Sequence, residues 1–395
     1  MSTTNRKRDQ VTDHGTHVRR SPEWPHLADV ERGALRELLI HGPLPRAEIA
    51  RRLSVSRASL TRATRILLQH EMIADAEIAV RGSMGRPSEL LVVRHDAHRF
   101  LGIKLTGDAV FAVVTDLRAE VIAAVDEPLV SRSVDDTLEQ IAAIHARFSA
   151  EYDDIHAAGI CLAGDLITVG GRQIVVESYF LQWSDVPLAE LLTERIGIPV
   201  TADNDVRALT AAEHWFGPGA GCDSLALVTV GAGIGFGLVI DGKVVTGHSG
   251  RAGEVGHLLI DTNGPPCGVG HHGCASSYLP SERIAEATGI PGLDYEGAVD
   301  LARKGDPAAR QAFEHAGHAL GVIIGTIASA LDPEKIVLTG DGLAVIELAG
   351  EQMQSSMIAT RRPSDEPVPL DIQPFEFTEW ARAGAVVAIR ALLRF

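Results

Sequence analysis

Near the N-terminus, apolar positions recur every third or fourth residue in three short stretches, which predicts three helices. Residues 30–40 place Leu35, Leu38 and Leu39 on one face. The breaker His-Gly-Pro-Leu-Pro (41–45) ends that helix, and residues 46–53 form a second with Ile49, Ala50 and Leu53 inward. Ser56 is placed to cap a third helix running to about Gln69, whose inward Leu60, Thr64 and Leu67 keep the helical spacing. The short Ser54-Val55 link between the last two predicts a helix-turn-helix. Residues 73–80 and 89–93 then read as two strands around a basic, Gly-rich tip (81–87), a wing.

The texture changes after residue 95. Residues 100–105, 109–115 and 121–129 alternate as three antiparallel strands, followed by a helix (134–148), a strand (157–162), a helix (188–196) and a strand (199–203). The order restarts with strands at 224–229, 235–240 and 243–245. A long helix (308–331), a strand (336–338) and a closing helix (380–393) complete it. An order of elements that occurs twice predicts two duplicated lobes with a cleft between them. The division expected is therefore a flexible tail over residues 1–25, a winged helix-turn-helix over 26–95 and a two-lobed α/β body over 96–395.

Charge sharpens this division. The net charge is -16 over 395 residues. Residues 1–95 nevertheless carry a net +5, from 16 Lys+Arg against 11 Asp+Glu, so the rest carries -21. A basic head on an acidic body implies an anionic partner at one end, with nucleic acid ahead of a membrane surface. The N-terminus is polar and Arg-rich, without the apolar segment of a signal peptide. The longest apolar run (225–240) is broken by four glycines and falls short of the roughly 20 residues a membrane span needs. Four cysteines in so long a chain do not make a disulfide framework. A cytoplasmic protein is expected.

On the third helix, Ser56, Arg57, Ser59, Thr61, Arg62 and Arg65 project opposite the apolar stripe. Guanidinium forks suit guanine edges and phosphates, and hydroxyls serve either. Arg81 and Arg86 of the wing are placed to reach a neighbouring minor groove or the backbone.

In the body, Val-Thr-Val-Gly-Ala-Gly-Ile-Gly-Phe-Gly (228–237) is a Gly-rich turn between strands, able to offer backbone N–H groups to a phosphate or simply to turn tightly. Thr-Ala-Asp-Asn-Asp (201–205) ends a strand. Asp205 suits a general base toward a sugar hydroxyl, with Asn204 and Glu254 bonding neighbouring hydroxyls, and Asn-Asp equally suits capping of the next helix. Further on, Cys267 and Cys274 close a Gly-rich knuckle with His257 upstream, a spacing that a tetrahedral zinc site spans. Val269 holds the position between the cysteines that invites a third thiolate. His271, His272 or water remain as the fourth ligand.

Taken together, Pro-Arg-Ala-Glu-Ile-Ala-Arg-Arg-Leu (45–53), Gly-Arg-Pro (85–87), Asn204-Asp205, Gly-Ala-Gly-Ile-Gly (231–235), Gly-Glu-Val-Gly-His (253–257) and the Cys267–Cys274 pair resemble the ROK proteins, bacterial sugar kinases and sugar-responsive repressors. The resemblance covers the chain from residue 29 onward. It implies an actin-like two-lobed ATPase fold, a structural zinc and a sugar site in the cleft. By position, Asn204, Asp205, Glu254 and His257 touch the sugar, and His257 also ligates zinc.

The departures from that pattern are specific. The kinases' Asp-x-Gly-Gly-Thr phosphate loop reads Lys104-Leu105-Thr106-Gly107-Asp108 here, and the usual Thr of the second loop is Ala232. Phosphoryl transfer rests on positioning and charge neutralisation at the phosphates, so these losses argue against a kinase. Lys104 reads as a salt-bridged surface lysine, and Asp205 as a sugar ligand that no longer serves as a base. The family's sugar-contacting Glu falls at Ser276, and Tyr-Phe-Leu-Gln (179–182) stands where kinases tend to carry an Asn, which implies an altered ligand. The sequence is thus read as a non-enzymatic transcriptional regulator, a repressor of carbohydrate-related genes. Its expected partners are a double-stranded DNA operator and a sugar-type effector, with a structural zinc. A homodimer or homotetramer is expected because paired half-sites require paired heads. The alternatives are an ATP-dependent ROK sugar kinase with an appended DNA-binding domain, and a regulator whose body docks a protein.

Overall fold

The structure is a computed structural model that describes residues 24–77, 89–363 and 366–395. The head contains α1 (Asp29–His41), β1 (Leu44–Pro45), α2 (Arg46–Arg52), α3 (Arg57–Gln69), β2 (Ile73–Glu77) and β3 (Glu89–Val93). Leu35, Leu38, Ile49, Leu60, Thr64 and Leu67 are all buried, so the three helices pack along the stripes the periodicity predicts. Ser54 takes a positive φ of 54° in the turn between α2 and α3. The three short strands form one sheet in the order β1-β3-β2, with Ile73 opposite Val93. The wing tip, with Arg81 and Arg86, lies outside the described residues.

The first lobe contains β4 (Arg99–Leu105), β5 (Ala109–Thr115), β6 (Val121–Pro128), α4 (Val134–Glu151), β7 (Ile155–Leu162), β8 (Asp165–Val169), β9 (Arg172–Ser178), β10 (Trp183–Val186), α5 (Leu188–Ile196), β11 (Val200–Asn204) and α6 (Asp205–Phe216). The second contains β12 (Leu225–Val230), β13 (Ile234–Ile240), β14 (Lys243–Val244), α7 (Ser281–Ala287), α8 (Tyr295–Arg303), α9 (Pro307–Leu331), β15 (Lys335–Thr339), α10 (Ala344–Ala359), β16 (Leu370–Ile372) and α11 (Phe377–Leu392). The two main sheets run β11-β7-β4-β5-β6 and β14-β13-β12-β15-β16. In each, a three-stranded antiparallel meander is extended from its first strand by two parallel crossover strands. The duplication expected from element order is therefore present strand for strand.

Three features go beyond the pattern read from the sequence. A small sheet, β10-β9-β8, is inserted after β7. Helices α7, α8 and α10 were not anticipated; α10 includes a non-helical residue, Ala349, that breaks its periodicity. Lastly, α11 returns to lie on the first lobe, although it follows the second lobe in the chain. A methyl group at Gly102 would stand 2.0 Å from the Ala381 carbonyl oxygen, and one at Gly159 1.9 Å from that of Gly384. The helix backbone thus rests directly on β4 and β7. Buried side chains run continuously from Leu35 and Ile49 of the head to Trp215, Ala383 and Leu393 of the body, which gives the head a firm seat.

Candidate functional site

Ser56 is the N-cap of α3. Its Oγ accepts the Ser59 N–H at 3.1 Å and lies 3.0 Å from the Ser59 hydroxyl. The Thr61 hydroxyl donates to the Arg57 carbonyl at 2.8 Å. These hydroxyls therefore serve the helix itself. The arginines differ: Arg57, Arg62 and Arg65 are exposed, and none makes an ion pair among the described residues. Elsewhere in the head, Arg46 is paired with Asp75 at 2.7 Å, Arg51 and Arg52 with Glu48, and Arg94 with Glu71 at 3.2 Å. Among the described residues of the head, these neighbouring cations are neutralised and those on one face of α3 are not, which concentrates positive field on that face.

In the body, Asn204 caps α6. Its Oδ1 accepts the Arg207 N–H at 3.2 Å, and its Nδ2 donates to the Gly164 carbonyl at 3.1 Å. The capping role weighed for this pair is what Asn204 performs here. Asp205 opens the helix, and its Oδ1 accepts the Val206 N–H at 2.9 Å. Its other oxygen is ion-paired with Lys104.

The expectation of a surface lysine at 104 is corrected by this pair, since Lys104 is only 5% exposed. Register explains why. Lys104 lies opposite Cys161, and Cys161 opposite Asp203, on the sheet face that α11 covers. The Lys104 Nζ stands 4.8 Å from the centre of the Trp380 ring. A buried ammonium requires a counter-charge, and Asp205 supplies it. Burial pushes the neighbouring Cys161 thiol up to about 12, so it remains a thiol and donates to the Trp380 carbonyl at 3.1 Å.

Glu254 and His257 are exposed on the loop that follows β14. Among the described residues no hydrogen bond or ion pair joins Glu254 to Asn204 or Asp205. The loop is instead tied to the first lobe by two arginines. Arg207 donates to the carbonyls of Gly250 at 2.6 Å and Leu166 at 3.3 Å while pairing with Asp203 at 2.6 Å. Arg251 pairs with Asp165 at 2.7 Å. Arg207 was missed at the sequence level, because Asp203 ends strand β11 and Arg207 lies in the first turn of α6, so no single periodicity pairs them. Glu254 flanks Gly256, with Ser276 on the same side, and the Ser276 Oγ is buried with no hydrogen-bond partner among the described residues.

Both loops that would receive a nucleotide's phosphates are filled from within. The Thr106 hydroxyl donates to Asp108 at 2.7 Å and accepts the Ala109 N–H at 2.9 Å, and Arg132 donates to the Gly107 carbonyl at 2.8 Å. The β4–β5 turn is thereby closed on itself. In the second loop the Asp341 carboxylate accepts the Ala232 N–H and comes within 1.6 Å of the point a Gly231 Cβ would occupy. A carboxylate in that place repels a phosphate.

In the knuckle, His257, Cys267, His271 and Cys274 each offer one ligand atom, all within 4.8 Å of one another. A tetrahedral zinc with two sulfur and two nitrogen ligands separates them by roughly 3.5 Å, so the donor set fits after a small contraction. His271 takes the place left open by Val269, which is 63% exposed and points away. His272 is turned elsewhere, its Nδ1 3.3 Å from the Gly264 carbonyl. The Leu259–Cys274 and Pro266–His272 bridges brace the knuckle.

Comparison with known proteins places this architecture. Residues 100–375 match the model of the ROK family, and residues 32–74 that of the MarR family. The Xylose repressor of Bacillus spizizenii is 26% identical over 310 residues, covering 77% of this chain and 80% of that one. A crystal structure of a ROK family transcriptional regulator, a homolog of the E. coli MLC protein, superposes with a TM-score of 0.79 at 24% identity, over 92% of this chain and 96% of that one. The ROK hexokinase from Thermus thermophilus superposes with a TM-score of 0.63 at 27% identity, over 73% of this chain and 97% of that one. A family match that spans well over half of its length, on a duplicated two-lobed body, makes this chain a member of the ROK family.

Proposed function

We propose that the chain is a DNA-binding repressor of carbohydrate-related genes whose cleft takes a sugar or sugar-derived effector and which no longer transfers phosphate. The observation that carries this reading is the pairing of two states of charge: unpaired arginines on α3, and a buried Lys104 bound to the aspartate that would otherwise act on a sugar hydroxyl. Arg57, Arg62 and Arg65 engage the operator, with Arg81 and Arg86 of the wing beside them, while Ser56, Ser59 and Thr61 set and flank the helix. Asn204, Asp205, Glu254 and His257 face the effector. The similarity to a Xylose repressor supports a carbohydrate ligand. A zinc held by His257, Cys267, His271 and Cys274 fixes the loop that carries Glu254 and contributes no chemistry of its own.

The protein acts in the cytoplasm as a homodimer or homotetramer, because two heads must meet two half-sites one helical turn or more apart. No helix among the described residues is long and apolar enough to cross a membrane. Effector binding draws the two lobes together and shifts the seat of the head, which requires a difference of about 1–3 kcal/mol in effector affinity between the two arrangements.

The test is a gel-retention assay on an operator fragment selected from random DNA, run with and without a panel of sugars and sugar phosphates, beside an ATP-turnover assay. Release of operator by one sugar, with no turnover, is expected. Arg62→Ala should weaken binding by about 1–3 kcal/mol if it reads a base, or lower the salt slope by about 1 if it contacts a phosphate. Turnover of ATP that depends on a sugar would establish the kinase alternative instead.

A further inference from the structure

The head meets the body across a cavity of about 870 Å³ that is separate from both the α3 face and the cleft residues. Its walls come from α1 and α2, from Gln173 of β9 and Thr201 and Asp203 of β11, from α6 and α11, and from the turns at 221–223 and 241–246 of the second lobe. Two adjacent rings with a cation at each end line it. Arg36 of α1 lies 4.5 Å over the Phe395 ring, Phe395 stands 6.0 Å from Trp215, and Arg390 of α11 lies 5.5 Å from Trp215.

Both arginines are half-buried, and each keeps a guanidinium nitrogen that nothing among the described residues satisfies. The Nε atoms of Arg36 and Arg390 are closed off from solvent with no hydrogen-bond partner among the described residues. Arg390 makes no ion pair among those residues. Burial holds its pKa below the ordinary value, and Asp203, the acid that offsets this, is already bound to Arg207 at 2.6 Å. Glu37 is shared among Arg36, His41 and Arg52 at 3.3, 3.3 and 3.6 Å. A native fold rarely leaves such a charge unmatched unless an ion or ligand completes it.

We propose that this cavity binds a small oxyanion, a metabolite bearing a phosphate or carboxylate group, held by Arg390 and Arg36. The guanidinium forks bind either group through two parallel hydrogen bonds. Asp223 and Asp241 on the wall of the second lobe repel the anion toward Arg390, and the other two acids of the lining, Glu37 and Asp203, are already engaged by Arg36, His41 and Arg52 and by Arg207. Lys243 at the rim adds a further cation. The volume suits a metabolite. Such a ligand joins the head to both lobes, so it acts on the seat of the head independently of the cleft effector.

The test uses the full chain with inorganic phosphate and citrate as probes, followed by calorimetry and thermal unfolding. A saturable rise in Tm with at least one probe is expected, and their ranking distinguishes a phosphate from a carboxylate site. Arg390→Met should raise the Tm of the anion-free protein, because an apolar chain replaces an unmatched buried charge, while lowering anion affinity by about tenfold or more. Arg36→Gln should lower the affinity without touching α11. Arg62→Ala on α3 and Asn204→Ala in the cleft should keep the full response. The proposal is overturned if neither probe raises Tm, if Arg390→Met and Arg36→Gln bind as the parent does, or if Arg62→Ala removes the response.

Discussion

The Lys104–Asp205 pair allows a quantitative test of the proposal that Asp205 no longer acts as a base. The side chains are 6% and 10% exposed, so water contributes little to either charge. Removing one partner of a buried pair costs about 3–5 kcal/mol, since the other charge is left uncompensated. Lys104→Met also gives up the contact with Trp380, worth about 1 kcal/mol. Asp205→Asn leaves the lysine buried without its counter-charge and should cost a similar 3–5 kcal/mol. The double variant removes both charges together, and its loss should stay within about 1 kcal/mol of the parent. A urea-unfolding cycle followed by tryptophan fluorescence measures all four proteins, with Trp380 as a local reporter. The predicted coupling energy is about 3 kcal/mol or more. Additive single losses would refute the pair as a unit, and with it the claim that Asp205 is engaged before ligand arrives. The same variant carries a functional readout: Lys104→Met frees Asp205 and should tighten the binding of a hydroxyl-bearing effector while it weakens the fold.

Three other outcomes follow from buried ionisable groups and from the knuckle. Burial pushes Glu213 up to about 7 from 4.5, against the pull of Arg382 3.8 Å away. The folded state therefore holds this proton more tightly than the unfolded chain, and stability falls as pH rises from 4.5 through about 7. Glu213→Gln should change little at about pH 5 and stabilise by up to about 3 kcal/mol at about pH 8.5, as read from urea midpoints. His98 goes the other way: burial first, and then the charge of His156 2.9 Å away, lower it to about 4. Its contribution is complete above pH 6.5 and is lost as pH falls toward 4, by up to about 3 kcal/mol, and His98→Phe should flatten stability across that window. In the knuckle, zinc content measured by atomic absorption after dialysis should fall in His271→Ala and hold in His272→Ala; equal retention in both would remove His271 from the ligand set.

Much of this architecture was legible because it rests on periodicity and repeated order. The Leu35, Leu38 and Leu39 stripe, the Ser56 cap and the restart of the strand pattern at residue 224 needed no tertiary information. Asn204 was legible as a cap from its place between strand and helix. What remained hidden depends on which elements cover one another. Lys104 reads as a surface lysine until α11, from the far end of the chain, is known to cover its strand. Asp341 is an ordinary loop aspartate until its carboxylate is found in the second phosphate loop. His271 and His272 are equivalent by spacing, and only the Pro266–His272 bridge and the Gly264 carbonyl turn one of them away. Arg390 reads as a helix-end cation, with nothing in its neighbours to say that it is buried.

The three features on which the proposed loss of phosphoryl transfer rests are physically independent. At the first loop a hydroxyl and an arginine close the turn on itself; at the second the Asp341 carboxylate lies against Gly231 and accepts the Ala232 N–H; between them a lysine neutralises the aspartate. Reversing any one leaves the others in force. Lys104→Asp would set two carboxylates side by side in a buried site, and Asp341→Gly would still leave Asp205 paired. The residues proposed to face the effector, Asn204 and Glu254, and the Ser276 hydroxyl, without a partner among the described residues, do not depend on those three features. A body can therefore lose the chemistry at the phosphates while keeping polar groups for a sugar, provided that binding still moves something. On the proposed reading the responding element is the head, whose core continues into α6 and α11 and whose α3 carries arginines without an ion pair among the described residues. The head and the first lobe share one core, so the proposed coupling requires only that a ligand change how α6 and α11 sit for the orientation of α3 to change with them.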